Sequence, residues 1–478
     1  MRYKKILISL VILTLLSLFF FISDYRAKIS NATITRQQLS LLETLDIFTD
    51  TNSRLAYLVS LRDKRAWLHL AKISADTNAN IAYQLGEYFQ KLDQLESAKL
   101  WYRVAIRQQH ITARIALADI LFKQHAYQNI KPLLLPIVDQ DEALALLYKL
   151  ALQQGDIAFI QSYKSKLAKS KNIVLYRELQ SHGVFSPELT RKHREARTTI
   201  NVQPDLSCAI DIQLFATSLS GLRHSQQLIS AFENHDFSAF VCLKTAKYIP
   251  AQAINCRHLL SDKISCSAQY WDNRSDITTR FLGVIVEQGG ANVDNGIMYL
   301  DEDDNLDVLV HELSHLLGFV DEYPLPSQHQ KCQTNQSEPF SHNVVVLPEY
   351  YQGERVALRE SILRQVPWAS LIKSSVPILT RHKQGWTLLT PQAYDSEIGI
   401  FKSASCNNQT KTQAYKPVAQ RTKLQYFELK FPQHYIAIMN LAAKLYLMPS
   451  YHFNISRDLV EQGDYERARE VLNTIRFD

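Results

Sequence analysis

The sequence predicts an α+β chain made of two unlike parts, and three observations carry that reading. Across residues 37–180 apolar residues recur at helical spacing with scarcely a strand signal, and glycine and proline are rare. Beyond residue 205 the pattern changes to short alternating or wholly apolar runs of strand length, of which Cys208-Ala-Ile-Asp-Ile-Gln-Leu-Phe-Ala is the first. Embedded in that second part is a helix pattern around His311-Glu-Leu-Ser-His315, with Leu309, Leu313 and Leu316 on one face. The 478 residues suffice for two or three domains, and 46% hydrophobic with 21% charged residues is the composition of a folded protein.

Residues 1–24 are expected to be an N-terminal membrane anchor or signal. Arg2, Lys4 and Lys5 precede an uninterrupted apolar and hydroxyl run at residues 6–22, which falls just short of the ~20 residues of a usual spanning helix. No small-x-small cleavage site follows, so an uncleaved anchor is the reading taken and a cleaved signal peptide the alternative. The basic flank would stay in the cytoplasm and send the bulk of the chain into the periplasm as a single-pass inner-membrane protein.

An α-helical domain is expected over residues 25–185. Ala82, Leu85, Gly86, Phe89, Ala98, Tyr102 and Ala105 place small and large apolar residues where two antiparallel helices would pack closely. The offsets resemble a tetratricopeptide repeat, with weaker copies from Leu117 to Leu134 and from Ala143 onward. That resemblance implies an array that holds a protein partner or acts as a spacer. Helix pairs that merely pack alike are the plainer alternative.

Residues 186–205, with Pro187, Pro204 and mixed charges, read as a linker. The net charge of +6 is spread along the chain, and its densest basic cluster, residues 191–197, contains Glu195 and falls in this linker. No nucleic-acid partner is expected.

Residues 206–425 hold the chemistry. After the strand opening at Cys208 come a helix expected at residues 221–234 and strands expected at 240–243 and 281–287. All six cysteines, Cys208, Cys242, Cys256, Cys266, Cys332 and Cys406, lie in this part. An even number confined to one domain predicts disulfides in an exported protein, with the pairing open, and the lack of any Cys-x-x-Cys argues against a thiolate metal site.

On a helix, residues four apart share a face, so His311 and His315 can present their imidazoles to one metal ion with Glu312 beside it. Asp304 is the expected N-cap. Gly318 lets the chain turn, so that Asp321 can swing back as a third ligand, with Glu322 as the alternative. Written out, the motif is HExxHxxGxxD, which resembles the metzincin zinc peptidases in the variant where aspartate replaces the third histidine. Asp321-Glu322-Tyr323 is also similar to the motif end of the bacterial immunoglobulin-A-cleaving zinc peptidases, with one residue fewer between glycine and aspartate. The resemblance implies a mixed sheet with an active-site helix, a Zn2+ cofactor held by His311, His315 and Asp321, and Glu312 as general base.

The same resemblance makes Gly289, Gly290 and Ala291 the expected peptide-binding segment, since in metzincins an exposed edge strand before the helix pairs with extended substrate. A plain two-glycine turn is the alternative. The acidic run at residues 301–304 reads as a solvated turn at the start of the helix. Residues 324–348 read as loop pinned by Cys332. Trp368, Gly399 and Cys406 are placed as in the immunoglobulin-A peptidases, but the position two after Cys406 is Asn408. The methionine that floors a metzincin site is therefore missing there, and Met439 and Met448 read as core. Residues 426–478 are expected to form a C-terminal helical hairpin, closing with Leu459, Gly463, Tyr465, Ala468 and Leu472.

The chain thus reads as an exported, membrane-anchored zinc endopeptidase acting on a protein or peptide substrate. The rival is a non-enzymatic envelope scaffold that works through its helical repeats.

Overall fold

The computed structural model describes residues 64–189, 210–258, 263–272, 274, 276–326, 332, 338–406, 412–473 and 475. The expected membrane segment, residues 1–24, lies outside them, as do Cys208 and residues 190–205 of the expected linker. Among the described residues no helix is long and apolar enough to cross a membrane. The chain is α+β, and by its contacts it divides into two compact units, Met1–Leu150 and Ala151–Asp478.

The first unit is helical. Helices α1 (Ala79–Lys91), α2 (Leu95–Arg107) and α3 (Ile111–Lys123) follow one another through short turns. Asn78 caps α1, its side chain accepting from the amides of Asn80 and Ile81. Ala82, Leu85, Phe89, Ala98, Tyr102 and Ala105 are all buried. A Cβ at Gly86 would stand 2.4 Å from the Tyr102 ring, so the close approach of α1 and α2 depends on that glycine. Each of the three helices stops the same way, on a left-handed residue two past its end: Asp93, Gln109 and His125, with φ of 56°, 65° and 54°.

A five-stranded sheet organises the second unit. Its strands are β1 (Ile210–Ala216), β2 (Val241–Tyr248), β3 (Phe281–Val286), β4 (Asn292–Asp294) and β5 (Ile297–Asp301), in the order β2-β1-β3-β5-β4. All neighbours run parallel except β4, which pairs antiparallel with β5 at one edge. Every residue of β3 is buried, the state of a central parallel strand covered on both faces, which explains a continuous apolar run without alternation. Helix α4 (Leu219–Phe232) makes the crossover from β1 to β2. The β4–β5 hairpin turns on Asn295 and Gly296, both at positive φ.

The C-terminal helices α7 (His452–Glu461) and α8 (Tyr465–Asn473) form a hairpin whose Ile455, Leu459, Ala468 and Val471 join Phe215, Trp271, Leu282, Val284 and Tyr299 in one core. Polar ties flank it: Asp458 accepts from the Ala268 amide at 2.7 Å, and Arg467 pairs with Asp272 at 2.6 Å. A smaller antiparallel sheet of β6 (Val345–Pro348), β7 (Phe401–Lys402) and β8 (Thr412–Lys416), in the order β7-β8-β6, lies further along the chain. Residues 345–348 are thus strand where loop is expected, and pairing with β8 is what makes them so. Two disulfides, Cys256–Cys266 and Cys332–Cys406, are formed, and Cys242 is disulfide-bonded as well.

Candidate metal centre

Helix α5 (Leu306–Leu316) follows β5 and buries Leu309, Leu313 and Leu316 on its inner row. Its N-cap is Asn305, whose side chain accepts from the Asp307 and Val308 amides at 2.9 and 3.2 Å. The expected cap, Asp304, is one residue early; its carboxylate accepts from the Asp301 amide and closes the acidic turn before the helix. At the other end Gly318 adopts φ +91°, and a Cβ there would stand 2.3 Å from the Tyr446 carbonyl oxygen. Glycine is required twice over, by conformation and by space. The reversal it permits carries Asp321 back beside the helix.

Three ligand atoms then meet. His311 Nε2 and His315 Nε2 are 3.3 Å apart, and Asp321 Oδ1 lies 3.3 Å from the first and 3.2 Å from the second. The imidazole rings stand perpendicular. Their Nδ1 atoms face carbonyl oxygens, Lys423 O at 2.9 Å for His311 and Phe319 O at 3.1 Å for His315. A carbonyl can only accept, so each Nδ1 carries a hydrogen, and each Nε2 is left to face the common centre. Asp321 Oδ1 is buried there without a hydrogen-bond donor. A tetrahedral ion with zinc-like bonds of about 2.0–2.1 Å holds its ligand atoms about 3.3–3.4 Å apart, which matches this triangle. His311, His315 and Asp321 could therefore hold a metal ion.

The electrostatics point the same way. Burial pulls His315 down, but the Asp321 carboxylate outweighs it and carries the imidazole up to about 9. Burial would raise Asp321, and the two imidazoles instead hold it well below the ordinary carboxylate range. Both effects arise because the Asp321 carboxylate lies against the two imidazoles. Glu312, on the same helix and only 7% exposed, is not one of the three ligand groups but lies near enough to interact electrostatically with all of them. Burial raises its carboxyl against the lowering influence of His315 and His311.

Glu322, the alternative third ligand, is engaged elsewhere. Its buried carboxylate accepts from Lys416 Nζ at 2.7 Å, Thr422 Oγ1 at 2.9 Å, Asn343 Nδ2 at 3.1 Å and the Tyr435 hydroxyl. Its amide donates to the Leu424 carbonyl at 2.9 Å. The turn at residues 422–426 thus supports the site from a distant part of the chain, through Lys423 O to His311 and Leu424 O to Glu322. Nothing in the residue types of this turn marks it, and sequence reasoning missed it. Of the two later methionines, Met439 is buried in helix α6 (Gln433–Leu441), and Met448 donates its amide to Leu316 O.

The glycine segment lies between β3 and β4, whose edge is in contact with helix α5. Gly289 donates its amide to Asp301, and Gly290 O accepts from the Ile264 amide at 3.4 Å. Ile264 belongs to a two-stranded hairpin, Arg257–His258 with Ile264–Ser265, closed by Cys256–Cys266. Ala291 continues directly into the edge strand β4. Trp368 is fully buried and donates to Gly399 O at 2.8 Å, and Cys332 bonds Cys406, so the segments singled out together in the sequence meet in space. No family model matches this chain, and no curated protein sequence matches it either.

Proposed function

We propose that the chain is a metzincin-like zinc endopeptidase, and the observation that carries the reading is the triangle of His311 Nε2, His315 Nε2 and Asp321 Oδ1 with Glu312 beside it on the same helix. When bound, zinc supplies a Lewis acid for the scissile carbonyl and lowers the pKa of water toward about 7. His311, His315 and Asp321 hold the ion, and the carbonyls of Lys423 and Phe319 keep both imidazoles in the ligating tautomer. Glu312 takes a proton from the attacking water onto its carboxylate and returns it to the departing amine. The water's hydroxyl ends on the acyl carbon and its proton on nitrogen, so the hydrolysis balances.

Extended substrate is placed along Gly289, Gly290 and Ala291 toward the edge strand β4. With the Gly289 amide and Gly290 carbonyl already engaged, Ala291 is the residue of the three on which the pairing relies. Disulfides in this unit support an exported, periplasmic site, and the apolar run at residues 6–22 supports anchoring in the inner membrane. The close-packed pair α1–α2 supports a tetratricopeptide-like array that holds a protein partner. A non-enzymatic scaffold is the competing reading, and the absence of methionine two after Cys406 favours it. Zinc content and hydrolysis of an unfolded protein, measured on wild type and Glu312→Gln, decide between them. The enzyme reading expects both proteins to bind zinc and turnover to fall by roughly 10²–10⁴-fold in the variant. A zinc-loaded wild type no more active than Glu312→Gln refutes it.

A further inference from the structure

We propose that Glu322 is the positioning residue of this centre, a buried carboxylate that registers the supports of all three ligands against one another. The inference rests on the reading of His311, His315 and Asp321 as a metal site. Glu322 is 1% exposed and follows Asp321 directly in the chain. An ionised carboxylate has about four acceptor positions, and here four donors fill them, from Asn343, Lys416, Thr422 and Tyr435.

Each of three donors is tied to a different ligand. Thr422 precedes Lys423, whose carbonyl takes the His311 Nδ1 hydrogen at 2.9 Å. Tyr435 stacks on Phe319 with ring centroids 5.7 Å apart, and the Phe319 carbonyl takes the His315 Nδ1 hydrogen at 3.1 Å. Asn343 clasps Val320, the residue before Asp321, accepting from its amide and donating to its carbonyl, each at 2.9 Å. The fourth donor, Lys416, matches the charge and also donates to Gln420 O, which braces the segment leading into the 422–426 turn. One carboxylate therefore fixes where His311, His315 and Asp321 sit relative to one another.

A buried ion pair commonly adds little net stability over an apolar replacement of the same shape. What this network supplies is geometry, because a fully satisfied buried polar cluster permits one arrangement of the segments that meet in it. A metal centre needs that, since its ligands come from a helix and a loop whose supports lie from four to 112 residues away in the chain.

The test compares wild type, Glu322→Gln, Thr422→Val and Tyr435→Phe as full chains. Zinc affinity is measured by competition with a chromophoric chelator, the ligand field by visible absorption of the cobalt-substituted protein, and folding by circular dichroism. Supports of metal ligands typically matter 10–100-fold in affinity, and a loss of about that size is expected for Glu322→Gln, with an altered cobalt spectrum. Smaller losses of several-fold are expected for Thr422→Val and Tyr435→Phe, and in peptide hydrolysis kcat falls while KM stays within about twofold. Variants that are folded but less heat-stable, with wild-type zinc affinity and an unchanged cobalt spectrum, overturn the proposal. Should Glu322→Gln not fold, the two single-donor variants decide by the same criterion. A wild type that takes up no zinc overturns the metal reading itself, an outcome separate from the failure of Glu322's role.

Discussion

Replacing Gly318 by alanine perturbs the end of the helix that carries His311 and His315 in two separable ways. The residue sits at φ +91°, where an L side chain costs on the order of 1–2 kcal/mol. Its new Cβ would also stand 2.3 Å from the Tyr446 carbonyl oxygen, a backbone atom that cannot rotate away. Overpacking of this kind costs about 1–3 kcal/mol more. Gly463 provides the control, because it has a similar φ of +82° and nothing within 4 Å of a built Cβ. Gly463→Ala therefore bears the conformational term alone, partly offset by about 0.4–1 kcal/mol of lost unfolded-state entropy. In urea unfolding of the unit that holds both residues, Gly318→Ala should be about 1–3 kcal/mol less stable than Gly463→Ala. Zinc affinity should fall only in Gly318→Ala, since Asp321 lies three residues beyond the displaced turn. Equal stabilities, or unchanged zinc affinity in a destabilised Gly318→Ala, would refute the assignment of the turn as the device that delivers Asp321.

Further outcomes follow from other residues. His342 is 1% exposed, its Nε2 has no partner, and burial lowers its pKa to about 4 from an ordinary value of about 6.5. The unfolded chain binds the extra proton first, so stability should rise by up to about 3 kcal/mol between pH 4 and 6.5, and His342→Gln should flatten that rise. A His342→Gln profile as steep as wild type would show that other groups carry it. Peptide mapping without reductant should find Cys256 linked to Cys266 and Cys332 to Cys406; free thiols at these positions in protein trapped in its native host would contradict export. The mature chain should retain residues 1–24 and fractionate with membranes in high salt, whereas an N-terminus near residue 25 would indicate a cleaved signal.

Local periodicity made much of this protein legible before its fold. The buried row Leu309, Leu313 and Leu316 and the shared placement of His311 and His315 follow from 3.6 residues per turn, and a glycine after the last apolar residue marks a helix stop. The strands β1 and β3 were readable for a similar reason, as apolar runs of strand length. Asn295-Gly296 was a readable hairpin signal too, and with it β4 and β5 could have been found, but the flanking runs are only three and five residues long. The cap fell one residue later than expected because Asp304 and Asn305 are both good N-cap types, and only the path of the chain out of β5 selects between them.

What tertiary structure alone decided is which of Asp321 and Glu322 meets the two histidines. Adjacent carboxylates are chemically alike, and the direction of a loop is set by what waits at either side of it. Here Lys416, Thr422 and Tyr435, between 94 and 113 residues along the chain, draw Glu322 into the core and leave Asp321 to the histidines. The support of His311 by Lys423 O spans 112 residues and uses a main-chain carbonyl, a group every residue possesses. Spacing along a helix is written in the sequence because the helix repeats; a contact across a hundred residues through a backbone oxygen leaves no residue type to read.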